Sequence, residues 1–141
     1  MPKNTIEIPT GTTLEEVKAR KKIIRDFYAT WNAVNPTKQV YNANLKDFIN
    51  VRYLSINETA EIASRRYIST FVIIHYFTEI LEFAEEVRRT KPKLDNANQK
   101  RFSEIIALEY NKKGVGAIKL TVGVLQGSKQ HIQYCITAIE E

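Results

Sequence analysis

A chain of 141 residues, 43% hydrophobic and 26% charged, is long enough for one domain and apolar enough to bury a core, which excludes wholesale disorder. Lysine plus arginine outnumber aspartate plus glutamate by 21 to 16, a balance that permits an anionic partner such as RNA without requiring one. The single cysteine, Cys135, excludes an internal disulfide and a cysteine-based zinc site; His75 and His131 lack metal-ligand spacing, so no metal and no cofactor is expected. The first residues carry no apolar signal-peptide core, and the most apolar run, Phe71 to Phe77, is too short to span a bilayer. These features predict a cytoplasmic protein with no membrane association.

Residues 1–12 read as a leader in which Ile6 and Ile8 alternate with Glu7 before Pro9 and Gly11 punctuate the chain. Thr13-Leu14-Glu15-Glu16 is a capping box, and Leu14, Val17, Ile24, Phe27, Tyr28 and Trp31 follow at helical spacing, predicting a helix from 14 to about 33. Asn35-Pro36 stops it. Its other face carries Lys18, Arg20, Lys21, Lys22 and Arg25, a run that can touch phosphates and is more commonly just solvated.

Gln39 to Tyr41 and Phe48 to Tyr53 read as short strands around a turn at Asn42, Asn44 and Asp47. Ser55-Ile56-Asn57-Glu58 has the form of a second capping box, opening a helix from 56 to about 66. Residues 70–88 are expected to be mostly helical with a break near Thr78, although the β-branched start at Thr70 to Ile74 also fits a strand. Ile80, Leu81, Ala84 and Val87 make the apolar face of the later part. Arg88 to Asn98, with Lys91-Pro92-Lys93, reads as a polar loop.

The C-terminal third alternates with period two. Residues 102–110 fit a strand, though 102, 105, 106 and 109 also share a helical face. Asn111 to Gly114 makes a turn, Ile118, Leu120, Val122 and Val124 line one face of the next strand, Gln126-Gly127-Ser128 turns again, and Ile132, Tyr134, Ile136 and Ala138 line the last. The whole predicts a single α+β domain over 1–141: the leader, a mainly helical lobe over 13–90, and a small antiparallel β-sheet over 100–140 built as a meander or hairpin.

Pairing Val122 with Ile132, Leu120 with Tyr134 and Ile118 with Ile136 would gather Lys119, Thr121, His131, Gln133, Cys135 and Thr137 on the opposite, polar face. Lys119 and His131 suit a phosphate and a proton, and Gln133 and Thr137 can hydrogen-bond a substrate. A polar outer face is also what any half-buried antiparallel sheet shows. Arg52, Arg65 and Arg66, flanking the second capping box, offer guanidinium forks to phosphates.

Ser55-Ile56-Asn57-Glu58-Thr59 with Ala63-Ser64 and Ser69-Thr70, together with Lys119 to Val124 and Gln133 to Thr137, resembles small proteins and domains carried on phages and conjugative elements. Within that group it is most similar to the barnase–EndoU–colicin–RelE-like nuclease superfamily, over roughly residues 45–139. The resemblance implies metal-independent RNA cleavage by general acid–base catalysis on the sheet, with His131, Lys119, Gln133 and Thr137 as the catalytic set and Arg52 and Ser55 bordering the site; Arg65 and Arg66, read from their guanidinium forks, complete the expected substrate-binding set. It also implies RNA, or an inhibitor or partner protein, as binding partner. Only one histidine lies near the sheet, so a two-histidine acid–base pair is absent. That absence leaves open a non-catalytic interaction or nucleic-acid-binding accessory protein.

Overall fold

The computed structural model describes residues 7–93 and 99–138, with the side chains of 53–55 excepted. Ile6 of the expected extended leader and residues 94–98 of the expected loop lie outside the described residues. Helix α1 (Leu14–Val34) starts at the expected capping box: the Glu16 backbone N–H donates to Thr13 Oγ1, and the Glu16 carboxylate accepts from the Thr13 N–H and hydroxyl. Strands β1 (Gln39–Asn42) and β2 (Asp47–Asn50) pair as an antiparallel hairpin across the expected turn. Helices α2 (Tyr53–Ala63) and α3 (Tyr67–Phe83) follow, then β3 (Glu85–Thr90), β4 (Phe102–Lys112), β5 (Gly116–Leu125) and β6 (His131–Ala138).

The architecture is α+β, but the sheet is larger and more mixed than an antiparallel meander. Six strands run in the order β1-β2-β6-β5-β4-β3 and curl into a half-barrel, with β2 parallel to β6. Three strands come from the mainly helical lobe: β1 and β2, where short strands are expected, and β3, where helix is expected. The correction is β3: Glu85 to Thr90 pairs with β4 as an outer strand, and the α3 helix ends at Phe83. Its sequence, Glu-Glu-Val-Arg-Arg-Thr, has no apolar alternation because nearly all of it is solvent-exposed, so the period-two signal was absent.

The helices cover the inner face of the sheet. Ile24, Tyr28 and Trp31 of α1, with Val72, Ile73, Phe77, Ile80 and Leu81 of α3, pack against Ile106, Leu108, Ile118, Leu120, Val122 and Ile136. Helix α3 breaks at Tyr76, close to the expected Thr78, and sets Phe77 edge-on against Phe27, Tyr28 and Trp31 with ring centroids 5.1–5.5 Å apart. Buried Asn42 ties the β1–β2 hairpin to the end of α3 by donating to the Leu81 and Ala84 carbonyls while accepting from the Leu45 N–H.

A second, smaller cluster lies on the outer face, where Phe102, Ile132, Tyr134 and Cys135 pack with Ile62, Ile105 and Leu125. Gly123 is the floor beneath Phe102: a Cβ there would stand 2.6 Å from the ring.

Helix α2 solves an edge problem. Strand β2 pairs with β6 only at His131 and Ile132, so the rest of β6 has a free edge. Side chains of the helical segment fill it. Thr59 Oγ1 donates to the Tyr134 carbonyl, Arg66 Nη1 donates to the Ala138 carbonyl, and Ser69 Oγ accepts from the Ala138 N–H. The residues of the expected second capping box are used differently. Helix α2 begins three residues earlier, at Tyr53, with no side-chain cap, and Glu58 accepts from the Tyr134 hydroxyl.

Arg20 does not belong to the wet face of α1. It is fully buried and holds the end of α2 to the N-terminal segment: Nε donates to the Ser64 carbonyl at 2.8 Å, Nη1 to the Pro9 and Gly11 carbonyls at 2.7 Å each, and Nη2 to the Arg65 carbonyl at 3.4 Å. A cation at the C-terminal end of α2 also meets the negative end of its dipole.

Candidate ligand clefts

The outer face of the β5–β6 hairpin carries part of the expected polar set. Lys119 is paired with Thr137 and Thr121 with Cys135, so these four share one side of the sheet. Ile118 pairs with Ala138 and Leu120 with Ile136, a slip of two from the expected register that leaves every side chain on its expected face. A bulge between Thr121 and Val122 then changes the phase by one, and Val122 pairs with Gln133. Gln133 and His131 therefore turn inward.

Gln133 is fully buried at the centre of a polar chain through the core. Tyr28 Oη donates to Gln133 Oε1 at 2.8 Å, Gln133 Nε2 donates to Thr59 Oγ1 at 2.8 Å, and Thr59 Oγ1 donates to the Tyr134 carbonyl. This chain ties α1, β6 and α2 together with every member satisfied. Burial raises the Tyr28 phenol well above its ordinary value. Its role is structural cross-linking, and its amide has no exposed atom to offer a substrate.

His131 stands at the start of β6 with Nδ1 3.2 Å from Asp47 Oδ2; the tautomer protonated at Nδ1 donates there. Thr137, the cross-strand partner of Lys119, lies six positions further along β6, roughly 20 Å on an extended strand. Thus Lys119 and Thr137 come together on the outer face, while His131 and Gln133, two residues apart on β6, lie on the other face. Arg52 is exposed and donates to Gln130 Oε1, Arg65 is exposed in the α2–α3 turn, and Arg66 is engaged with β6. Ser55 lies within α2, its side chain outside the described residues.

Among the described residues, two clefts stand out. The larger, about 500 Å³, opens between α1 and α2 and is lined by Arg25, Tyr28, Ala29, Asn32, Ile56 and Asn57. Arg25, Tyr28 or Ala29, and Asn32 form one helical stripe of α1. Asn32 Oδ1 is buried without a hydrogen-bond partner, and it is the one such side-chain atom among the described residues. An unpaired buried acceptor is unusual for a native interior. Neighbouring α1 cations are occupied: Lys21 pairs with Glu61 at 2.9 Å and Lys22 with Asp26 at 2.7 Å. No sequence pattern pointed to this cleft, because Asn32 and Asn57 look like ordinary helix-surface residues until two helices meet.

The second cleft, about 310 Å³, lies on the outer face where Lys119, Thr121 and Thr137 meet Thr90, Lys91 and Lys93 beyond the end of β3. Its floor includes Tyr134 and Cys135. Burial pushes both up, the Tyr134 phenol to about 12 with Glu58 adding to the effect, and the Cys135 thiol to about 12. Among the described residues, no group of three or more histidine, cysteine, aspartate or glutamate side chains is placed to hold a metal, and no helix is long and apolar enough to cross a membrane.

Comparison with known proteins gave no match: no family model, curated protein or solved structure is similar to this chain.

Proposed function

We propose that the domain is a non-catalytic binding module whose α1–α2 cleft holds a small organic anion bearing an N–H or O–H donor. The observation that carries this reading is the buried, unpartnered amide oxygen of Asn32 in the wall of a cleft. Leaving such an acceptor empty costs about 1–3 kcal/mol, and a ligand donor would recover it. Arg25 offers a planar guanidinium to a carboxylate or phosphate, Asn57 adds a second amide, and Tyr28, Ala29 and Ile56 supply an apolar wall. The chemistry that fits is an amino or hydroxy acid, or a nucleoside phosphate.

RNA cleavage, which the sequence resemblance implies, asks for Lys119, His131 and Gln133 around one phosphodiester. Their separation and the burial of Gln133 support binding over cleavage. Thermal-shift titration with panels of amino acids, hydroxy acids and nucleotides tests the binding reading. A saturable stabilisation that disappears in Arg25→Ala is expected. Asn32→Leu should raise the unliganded stability by about 1–2 kcal/mol, by removing the empty acceptor, while weakening the ligand about tenfold. Chelator-resistant cleavage of RNA by the purified protein, lost in His131→Ala, would overturn the proposal; so would an Asn32→Leu protein that binds the ligand as well as the parent.

A further inference from the structure

The α1–α2 cleft leaves unused the three lysines gathered on the other side of the sheet. Lys91, Lys93 and Lys119 line the outer cleft together with the hydroxyls of Thr90, Thr121 and Thr137. Two cations elsewhere on the sheet have found a carboxylate: Arg89 binds Glu86 and Glu104, and Lys112 binds Glu79. Lys119 has Glu109 as its direct cross-strand neighbour on β4, the placement that usually yields an ion pair, yet among the described residues no carboxylate oxygen lies within 4.0 Å of its ammonium. The Glu58 carboxylate at the cleft's edge is turned to the Tyr134 hydroxyl.

We infer that this outer cleft is a second site, distinct from the α1–α2 cleft, and that it takes a phosphate monoester of about sugar or mononucleotide size. Three ammonium groups and a row of hydroxyls are the donors that a doubly charged terminal phosphate requires, since lysine acts as a point charge and threonine donates a directional hydrogen bond. A phosphodiester carries one charge and has fewer free oxygens, so it gains less from the same set. A volume of about 310 Å³ is at the small end of ligand sites, which excludes a folded polymer and admits one phosphorylated unit. The apolar floor of Ile62, Ile105 and Tyr134 gives the ester's carbon skeleton a surface to lie on. The terminal phosphate can belong to a free metabolite-sized ester or to the 5′ end of an RNA strand, and the two share this chemistry.

The test is an amide ¹⁵N–¹H NMR titration of the full chain with inorganic phosphate, ribose 5-phosphate, adenosine 5′-monophosphate, and a short RNA with and without a 5′-phosphate. Saturable shifts at Lys119, Thr121 and Thr137 are expected with the monoesters, weakened about tenfold in Lys119→Gln and reduced again in Lys91→Gln, whose side chain is exposed and whose loss leaves the sheet intact. Binding of 5′-phosphorylated RNA at the same amides would assign the source to an RNA end, and its failure beside binding of the free esters would assign it to small molecules. Asn32→Leu should leave these shifts unchanged, which separates this site from the α1–α2 cleft. Equal binding of RNA lacking the 5′-phosphate, an unchanged affinity in Lys119→Gln, or no saturable shift with any monoester would overturn the inference.

Discussion

Replacing Arg20 by methionine should cost this domain about 3–5 kcal/mol. The guanidinium is fully buried and makes four hydrogen bonds, all to carbonyl oxygens, with no carboxylate among its hydrogen-bond acceptors. Methionine fills much of the volume and removes the several kcal/mol spent on desolvating a cation, so the full worth of four charge-assisted bonds is not lost. What remains is the fate of the acceptors. The Pro9 and Gly11 carbonyls belong to the N-terminal segment and can regain water when that segment lifts. The Ser64 and Arg65 carbonyls sit at the end of α2 and are held there; each stranded acceptor costs about 1–2 kcal/mol. Losing the docking of the N-terminal segment adds about another 1 kcal/mol, since the Glu16 bond to the Gly11 N–H loosens with it. For a chain of this length the sum corresponds to a drop in Tm of roughly 10 °C. Arg20→Lys keeps the charge but reaches fewer of the four acceptors, and should fall between parent and methionine. Urea unfolding followed by circular dichroism measures all three. A methionine variant within 1 kcal/mol of the parent would refute the argument that the cation is the clamp between α1, the N-terminal segment and the end of α2.

Gly123→Ala places a methyl group 2.6 Å from the Phe102 ring and should destabilise by about 1–3 kcal/mol, read by the same unfolding assay, although the backbone there suits any residue. With its thiol held up to about 12, Cys135 should react with iodoacetamide at about pH 8 roughly a thousandfold more slowly than free cysteine, and at the ordinary rate once urea unfolds the chain. Glu79 is held below its usual 4.5 by hydrogen bonds from Lys112 and Tyr110. A depressed carboxylate contributes stability that is present above 4.5 and is lost as pH falls through the lower folded value. Glu79→Gln should therefore lower the urea midpoint at about pH 6, and the gap to the parent should close toward about pH 3.

The sequence revealed most where a residue's neighbours in space are its neighbours along the chain. The Thr13–Glu16 cap, the span of α1, the turn before Asp47, and the alternation of β5 depend on local geometry, and all are present. The element missed outright, β3, is one whose partner is remote and whose exposed side chains need no apolar pattern. Its loss from the reading also hid Thr90 and, just past the strand, Lys91 and Lys93, which looked like a solvated linker and instead stand beside Lys119. Arg20 was hidden for the opposite reason: a lysine–arginine run predicts a wet face, and only the arrival of the α2 carbonyls makes one member of it a buried clamp.

The site reading failed through a single residue. Strict alternation from Thr121 to Thr137 predicts one polar face, and it holds for Lys119, Thr121, Cys135 and Thr137. Tyr134 is the extra residue in β6, and beyond it the phase inverts, so that Gln133 enters the core and His131 turns toward Asp47. The inversion has an energetic reason visible in the partners. Without the bulge, Gln133 would face outward and the Tyr28 hydroxyl would lose its acceptor inside the core, while Tyr134 would be driven inward from its contact with Phe102 at 5.7 Å. A buried hydroxyl stranded at about 1–3 kcal/mol, together with the lost ring contact, outweighs the one ladder position that the bulge disrupts. The bulge is thus set by residues on α1 and α2, which no inspection of the hairpin's own sequence could supply. It is also what divides the polar residues into an inner cross-link that stiffens the core and an outer lysine–threonine surface left open to solvent.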